Sequence, residues 1–302
     1  MYGNQAPQTY LKTAFNSESK AITTSTQQFD SKKVNVYGHI SSLLFKFSVT
    51  ITKGSGAINT AKSALDAVGQ IVIRDKNSRP IIDETASNLP IVRKILSLSD
   101  SPSWSTFKKG EYNAGLALVD VATTQTFEAE VNIDINLSDQ PISIEWVANP
   151  LSSILSTVGS ASATCQLECA VTSIVPIGES ANLATRETRR IYSFTRGAIA
   201  TEQEIQGSLP TGVTIDGITL GVIADSNLTD CTLQPTGRNI GISRVSASIL
   251  KQKEARAMFS GHTPTYFTLP ISPFVVGDST LFKINPNVSF NPKIFIVHRG
   301  VR

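Results

Sequence analysis

Between Phe127 and Leu137 every second residue is apolar: Phe127, Ala129, Val131, Ile133, Ile135 and Leu137 alternate with Glu128, Glu130, Asn132, Asp134 and Asn136. A period of two puts all the apolar side chains on one face of an extended strand, whereas a helix would scatter them around its axis. The same alternation sets Leu43, Phe45, Phe47, Val49 and Ile51 against Lys46, Ser48, Thr50 and Thr52, after a start at His39. It recurs in Cys165, Leu167, Cys169 and Val171, and runs on into Ile174-Val175. A chain with several long stretches of this kind folds as sheets with one dry and one wet face.

The remaining segments fit that reading. Ile71-Val72-Ile73 and Pro80-Ile81-Ile82 flank the polar loop Asp75-Lys76-Asn77-Ser78, with Pro80 marking a strand start or a sheet edge. Pro141, Ile142, Ile144 and Trp146 form a strand expected beside 127–137. Lys53-Gly54-Ser55-Gly56 is a turn, and Ile58, Ala61, Leu65 and Val68 after it have helical spacing. Asn88-Leu89-Pro90 predicts a short helix capped by Asn88, with Leu89, Val92, Ile95 and Leu96 on one face and an end near Ser99. Further strands are expected at 213–215, 219–223, 240–245, 267–269, 281–282 and 293–298, with a helix of good helix formers at 248–259. No alternating βαβ pattern appears, so the fold class is all-β, a pair of successive sandwiches without a residue-level repeat between them. Gly178-Glu179-Ser180-Ala181-Asn182 interrupts the pattern ahead of Arg186, Arg189, Arg190 and Arg196, which puts the boundary near 179–186. The division is thus an N-terminal arm at 1–33, a first sandwich at 34–180 and a second at 181–302. The arm is polar, with Tyr2, Tyr10, Leu11, Phe15 and Phe29 scattered through it without period.

Composition narrows the function. Of 302 residues only 17% are charged, against about 25% in an average soluble domain. Charge is depleted where subunits meet, so this deficit favours a surface that faces protein. A net charge of +3 is too small for a binder that neutralises many phosphates, which excludes specific nucleic-acid binding as the main task. The start Met1-Tyr2-Gly3-Asn4-Gln5 has no basic and apolar leader pattern, and no run of 18 apolar residues occurs, so synthesis in a cytoplasm is expected.

Catalytic signatures are sparse. His39, His262 and His298 are isolated in sequence, and Gly54-Ser55-Gly56 lacks the rest of a nucleophile elbow, so the chain is read as no enzyme. Cys165 and Cys169 on one strand stand about 13 Å apart, beyond the ~7 Å limit for a bridge, and are expected as core thiols. Glu128, Glu130 and Asp134 share a strand face that regular alternation makes solvated. The loop Asp225-Ser226-Asn227-Leu228-Thr229-Asp230 offers Asp225, Asn227 and Asp230 as oxygen ligands of the kind that take Ca²⁺, without the EF-hand pattern; no other cofactor or metal is expected. Arg186, Arg189, Arg190, Arg196, Lys251, Lys253, Arg256, Arg299 and Arg302 are the basic surplus, suited on one face to lipid headgroups or subunit carboxylates.

A polar arm, two consecutive β-sandwiches each with a short helix, low charge and no active site together resemble the double jelly-roll major capsid proteins of lipid-containing icosahedral bacteriophages, of the corticovirus and finnlakevirus kind. The resemblance lies in organisation over nearly the whole chain and carries no functional residue. It implies two eight-stranded sandwiches per subunit, a homotrimer forming a pseudo-hexagonal capsomer, and a virion shell around an internal membrane. Its implied partners are neighbouring capsomers, minor capsid, penton and membrane proteins. Residues 1–33, with Tyr2, Tyr10, Phe15 and Phe29, are then expected as an assembly arm whose removal leaves a folded trimer unable to form shells. The competing expectation is a receptor- or carbohydrate-binding sandwich, which needs an aromatic platform from Trp104 or Trp146.

Overall fold

The computed structural model describes residues 8–98, 117–120, 123–137, 140–175, 188–222, 227–235, 242–250, 265–269 and 273–300. Two compact units part between Thr188 and Arg189. The boundary expected at 179–186, and the predicted helix beyond residue 250, lie outside the described residues.

In chain order the first unit carries β1 (Gln8–Asn16), β2 (Lys20–Ile22), β3 (Gln27–Gln28), β4 (Lys32–Val34), β5 (His39–Thr52), β6 (Ala57–Ile58), β7 (Val68–Arg74), β8 (Pro80–Thr85), β9 (Thr124–Leu137), β10 (Ile142–Ala148), β11 (Leu155–Thr157) and β12 (Ser162–Val175). Helix α1 (Leu89–Leu98) follows β8. The second unit carries β13 (Arg189–Thr195), β14 (Gln203–Glu204), β15 (Thr214–Val222), β16 (Leu228–Gln234), β17 (Ile242–Ser246), β18 (Thr265–Thr268), β19 (Phe274–Val275), β20 (Leu281–Pro286) and β21 (Lys293–Arg299).

The long alternating strands lie side by side. β5 pairs with β12 on one side and β9 on the other, both antiparallel and along nearly its whole length. The register lines the inward residues into transverse rows: Cys165–Val49–Phe127, Leu167–Phe47–Ala129, Cys169–Phe45–Val131 and Val171–Leu43–Ile133. All twelve are buried. Small Cys169 and Ala129 sit beside large Phe45 and Phe47, so large and small side chains alternate within the rows. Each large side chain removed from water contributes about 1.5–3 kcal/mol. Facing this sheet, β10 and β7 bring Ile142, Ile144, Trp146, Ile71 and Ile73 to the same core.

Both units wind alike. With the first unit's principal strands ranked in chain order (β1, the broken β3/β4, β5, β7, β8, β9, β10, β12), its sheets β1-β12-β5-β9 and β3/β4-β10-β7-β8 read first-eighth-third-sixth and second-seventh-fourth-fifth. In the second unit, β13-β21-β15-β18 and β14-β20-β16-β17 read the same, with β19 an added pair of β15. This is the winding of a jelly roll, twice over. The second core gathers Ile215, Ile218, Leu220, Ile294 and Ile296 from one sheet, and Leu228, Cys231, Leu233, Phe282 and Ile284 from the other.

Several expectations need correction. Residues 8–33 are not an aperiodic arm: β1 is the first strand of the first jelly roll, antiparallel to β12 from Gln8↔Val175 to Asn16↔Glu168. The first sandwich therefore begins at Gln8 and not at 34. A register break between Thr13 and Phe15 interrupts the alternation, which hides the strand from a period-two reading. β9 and β10 are successive but lie in different sheets. The helical spacing at 58–68 yields only the 3₁₀ turn Ala64–Ala67 between β6 and β7. The strands expected at 213–215 and 219–223 are one strand, β15, broken by an irregularity between Ile215 and Gly217. Conversely, β8 does start at Pro80 and is last in its sheet, and α1 begins one residue after Asn88, whose amide nitrogen donates to Glu84 Oε2 at 2.9 Å.

Ser17, Ile22 and Phe29 are buried, and Ser17 Oγ accepts the Leu167 N–H at 2.9 Å. Deleting residues 1–30 is therefore expected to abolish cooperative melting of the first unit, and not merely assembly. Thermal melts followed by circular dichroism check this; a transition matching the full chain would show the segment to be dispensable for the fold.

Candidate functional site

The residues assigned to the arm have separate fates. Tyr2 lies outside the described residues. Tyr10, on β1, is 50% exposed, while Phe15 is half-buried past the register break opposite Cys169. Phe29 is core: its ring stacks on Trp146 with centroids 3.6 Å apart, and Lys20 Nζ stands 4.9 Å from its centre. The Phe29 N–H also donates to the Trp146 carbonyl at 3.0 Å. Trp146 is thus a buried anchor between sheets and offers no platform to a sugar; Trp104 lies outside the described residues.

The oxygen-rich loop is only partly described, Asp225 falling outside. The Asn227 carbonyl accepts the Asn287 N–H at 2.8 Å, and Asp230, on β16, accepts from Asn285 Nδ2 at 3.0 Å. Both are held by the 285–287 segment, and Asp230 belongs to a strand where a turn was expected. Among the described residues no group of three or more His, Cys, Asp or Glu side chains is placed to hold a metal ion.

The outer face of β5, β9 and β12 is polar and internally matched. Thr50 and Thr126 hydroxyls are 2.8 Å apart, as are those of Thr52 and Thr124. Lys46 Nζ meets Glu128 Oε1 at 2.9 Å; the hydrogen bond to Glu128, then the charges of Glu128, Glu130 and Glu168, hold its ammonium above the usual lysine range. Glu128, Glu130 and Asp134 are exposed along this face; Glu128 is paired with Lys46, and Asn132 Nδ2 donates to Asp134 Oδ1 at 3.5 Å.

His39 and His298 are buried in their strands, and His262 lies outside the described residues. Burial pushes the thiols of Cys165, Cys169 and Cys231 up to about 12, with Glu168 and Asp230 adding to the effect at Cys169 and Cys231. None is a nucleophile at neutral pH.

Of the basic surplus, Arg189, Arg190, Arg196 and Arg299 are described. Arg189 and Arg299 are cross-strand partners on β13 and β21. Arg299 Nε lies 3.0 and 2.8 Å from the two carboxylate oxygens of Asp216, and Arg189 Nε lies 3.6 Å from Oδ2. The Asp216 side chain is only 4% exposed, and the residue sits at the β15 irregularity beside both arginines. The sequence signal was an acid inside an apolar run, Thr214-Ile215-Asp216-Gly217-Ile218, which strand reading alone passes over.

No protein-family model matches the chain, and no curated protein does. Solved structures match it over nearly all its length. The MCP of Sulfolobus Turreted Icosahedral Virus superposes with a TM-score of 0.66 at 11% identity, covering 97% of this chain and 96% of that one. The PBCV-1 capsid protein Vp54, fitted into a reconstruction of the virophage Sputnik, gives 0.60 at 9% identity, covering 98% and 95%. The major capsid protein P2 of bacteriophage PM2 gives 0.55 at 10% identity, covering 98% of both chains. At such identity the likeness shows the fold. The chain is a double jelly roll.

Two outcomes follow. Asp216→Ala, which removes the carboxylate that Arg299 and Arg189 share, is expected to destabilise the second unit by about 2 kcal/mol, read by urea unfolding. The native thiols are expected to resist a thiol reagent at pH 8 and to react fully on unfolding. Because their folded pKa exceeds the ordinary ~8.5, the folded state keeps its protons longer, so their contribution is complete below about pH 8.5 and declines as pH climbs toward 12. Chemical denaturation at pH 8 and pH 11 checks the sign.

Proposed function

We propose that this chain is a viral capsid subunit that acts by assembling with copies of itself. Three copies, each with two jelly rolls, form a pseudo-hexagonal capsomer, and capsomers tile an icosahedral shell around an internal membrane. The protein is made in the host cytoplasm and ends in the virion, with neighbouring capsomers, minor capsid or penton proteins and membrane proteins as partners. The observation that carries this reading is the repeated strand order: two jelly rolls on one chain present six like units in a trimer, the number a hexagonal outline needs. The full-length likeness to viral capsid proteins supports it.

The chemistry agrees with an assembly role. The carboxylates face a lysine, the thiols are buried, and heterologous contacts that close a threefold ring need surfaces and not reacting groups. Among the described residues no helix is long and apolar enough to cross a membrane. Ca²⁺ bound by Asp225, Asn227 and Asp230 is the metal this reading allows, with Asp230 contributing from β16.

Light scattering and negative-stain microscopy of the purified protein, across ionic strength and with Ca²⁺ added or chelated, test the proposal. Trimers of hexagonal outline or closed shells are expected. A monomer persisting at every concentration and salt would sink it, and shells indifferent to chelation would remove the Ca²⁺ role alone.

A further inference from the structure

One transverse row at an end of a second-unit sheet runs Arg189–Arg299–Thr214, across β13, β21 and β15. Cross-strand partners share a face of their sheet, with Cβ atoms about 5 Å apart. Two arginines set side by side repel each other, and Asp216 is the acid that reconciles them. Its side chain is 4% exposed, against 35% for Arg299 and 22% for Arg189. Within this group two guanidinium groups meet one carboxylate, so one positive charge is left over.

The way Asp216 holds Arg299 decides what that arginine can still do. Both carboxylate oxygens accept from Nε, at 3.0 and 2.8 Å. Neither terminal nitrogen of Arg299 has a hydrogen-bond acceptor among the described residues. The grip on the inner nitrogen therefore fixes the group and leaves the rest of its planar fork of donors to be satisfied from outside. A buried acid that locks a half-exposed arginine is a way to preorganise a guanidinium for an incoming oxyanion. Arg244 of the same unit shows the contrast: it is 76% exposed, and its Nη2 lies 3.9 Å from Glu202, so nothing aims it.

From this geometry we infer that Arg299, held by Asp216 and flanked by Arg189 and the Thr214 hydroxyl, is a binding site for a phosphate group. A carboxylate would fill one side of a single fork. A tetrahedral phosphate presents three oxygens and more than one charge, which matches two guanidinium groups and a hydroxyl in one row. The leftover charge is too small for a nucleic-acid backbone, which needs roughly one cation for each phosphate neutralised. Inorganic phosphate and the phosphate of a lipid headgroup share the required chemistry. The inference goes beyond the capsid reading and does not depend on it; with lipid as the source, it supplies the membrane contact that the reading calls for.

Calorimetric titration of the chain with inorganic phosphate at constant ionic strength tests the site, together with flotation on phosphatidylcholine vesicles with and without phosphatidic acid. Saturable phosphate binding is expected. Arg299→Lys, which keeps a charge beside Asp216 but loses the fork, is expected to bind about tenfold or more weakly. Arg244→Gln is the control and is expected to bind as wild type, and melts without phosphate are expected to coincide for all three proteins. Flotation that needs phosphatidic acid, is displaced by free phosphate and is lost in Arg299→Lys supports the inference with a lipid headgroup as the source. Phosphate binding without flotation supports it with the free anion as the source. No saturable phosphate binding to the folded wild-type chain, binding undiminished in Arg299→Lys, or acetate bound as tightly as phosphate would each overturn it, and none of these results touches the capsid reading.

Discussion

The pairing of β5 with β12 and β9 is the constraint on which the first unit depends. Three long strands in register turn alternating sequences into transverse rows, so one face is mainly apolar and the other mainly polar. A shift of one residue in any of them would send Phe45, Leu167 or Val131 to water and Lys46, Glu168 or Glu130 into the core. Register is therefore held by burial across the whole sheet. The facing sheet, the Phe29–Trp146 stack and the crossing segments all pack on the surface that this register creates.

The two units share a winding without sharing a sequence pattern that can be aligned. Topology depends on which strands have apolar faces to bury and on how the connections run between sheets, and many sequences satisfy both. The first unit solves the problem with three long strands; the second uses shorter ones, with β15 and β21 at the centre of one sheet and β16 and β20 at the centre of the other. Its edge is secured differently as well, by Asp216 drawing Arg189 and Arg299 together across β13, β21 and β15.

A protein whose work is assembly is expected to disarm its reactive groups and to keep specificity in its surfaces. The described residues follow that division: thiols lie in core rows, histidines lie within strands, and acids on the wet face are matched by Lys46.

Much of the fold was legible in the sequence because alternation is a local signal. β5, β9 and β12 were read nearly to their ends, as were the β7–β8 pair, α1 and the all-β class. β1 was hidden because its alternation breaks at Thr13 and its edge position leaves Tyr10 and Leu11 wet, and β16 because its polar start at 227–230 imitates a turn. The candidate site was less legible still. That Phe29 is core while Tyr10 is surface depends on which partner strand each one meets, and the hydrogen bonds of Gln140 with the Val36 N–H and the Gly38 carbonyl join residues 104 and 102 positions apart. By itself the sequence determined the all-β class, the long strands β5, β9 and β12 and the faces they turn inward, since these follow from side-chain period. Only the tertiary structure decided sheet membership, the strand that opens the first jelly roll and the pairing of Asp216 with two arginines, because these depend on contacts between residues far apart in the chain.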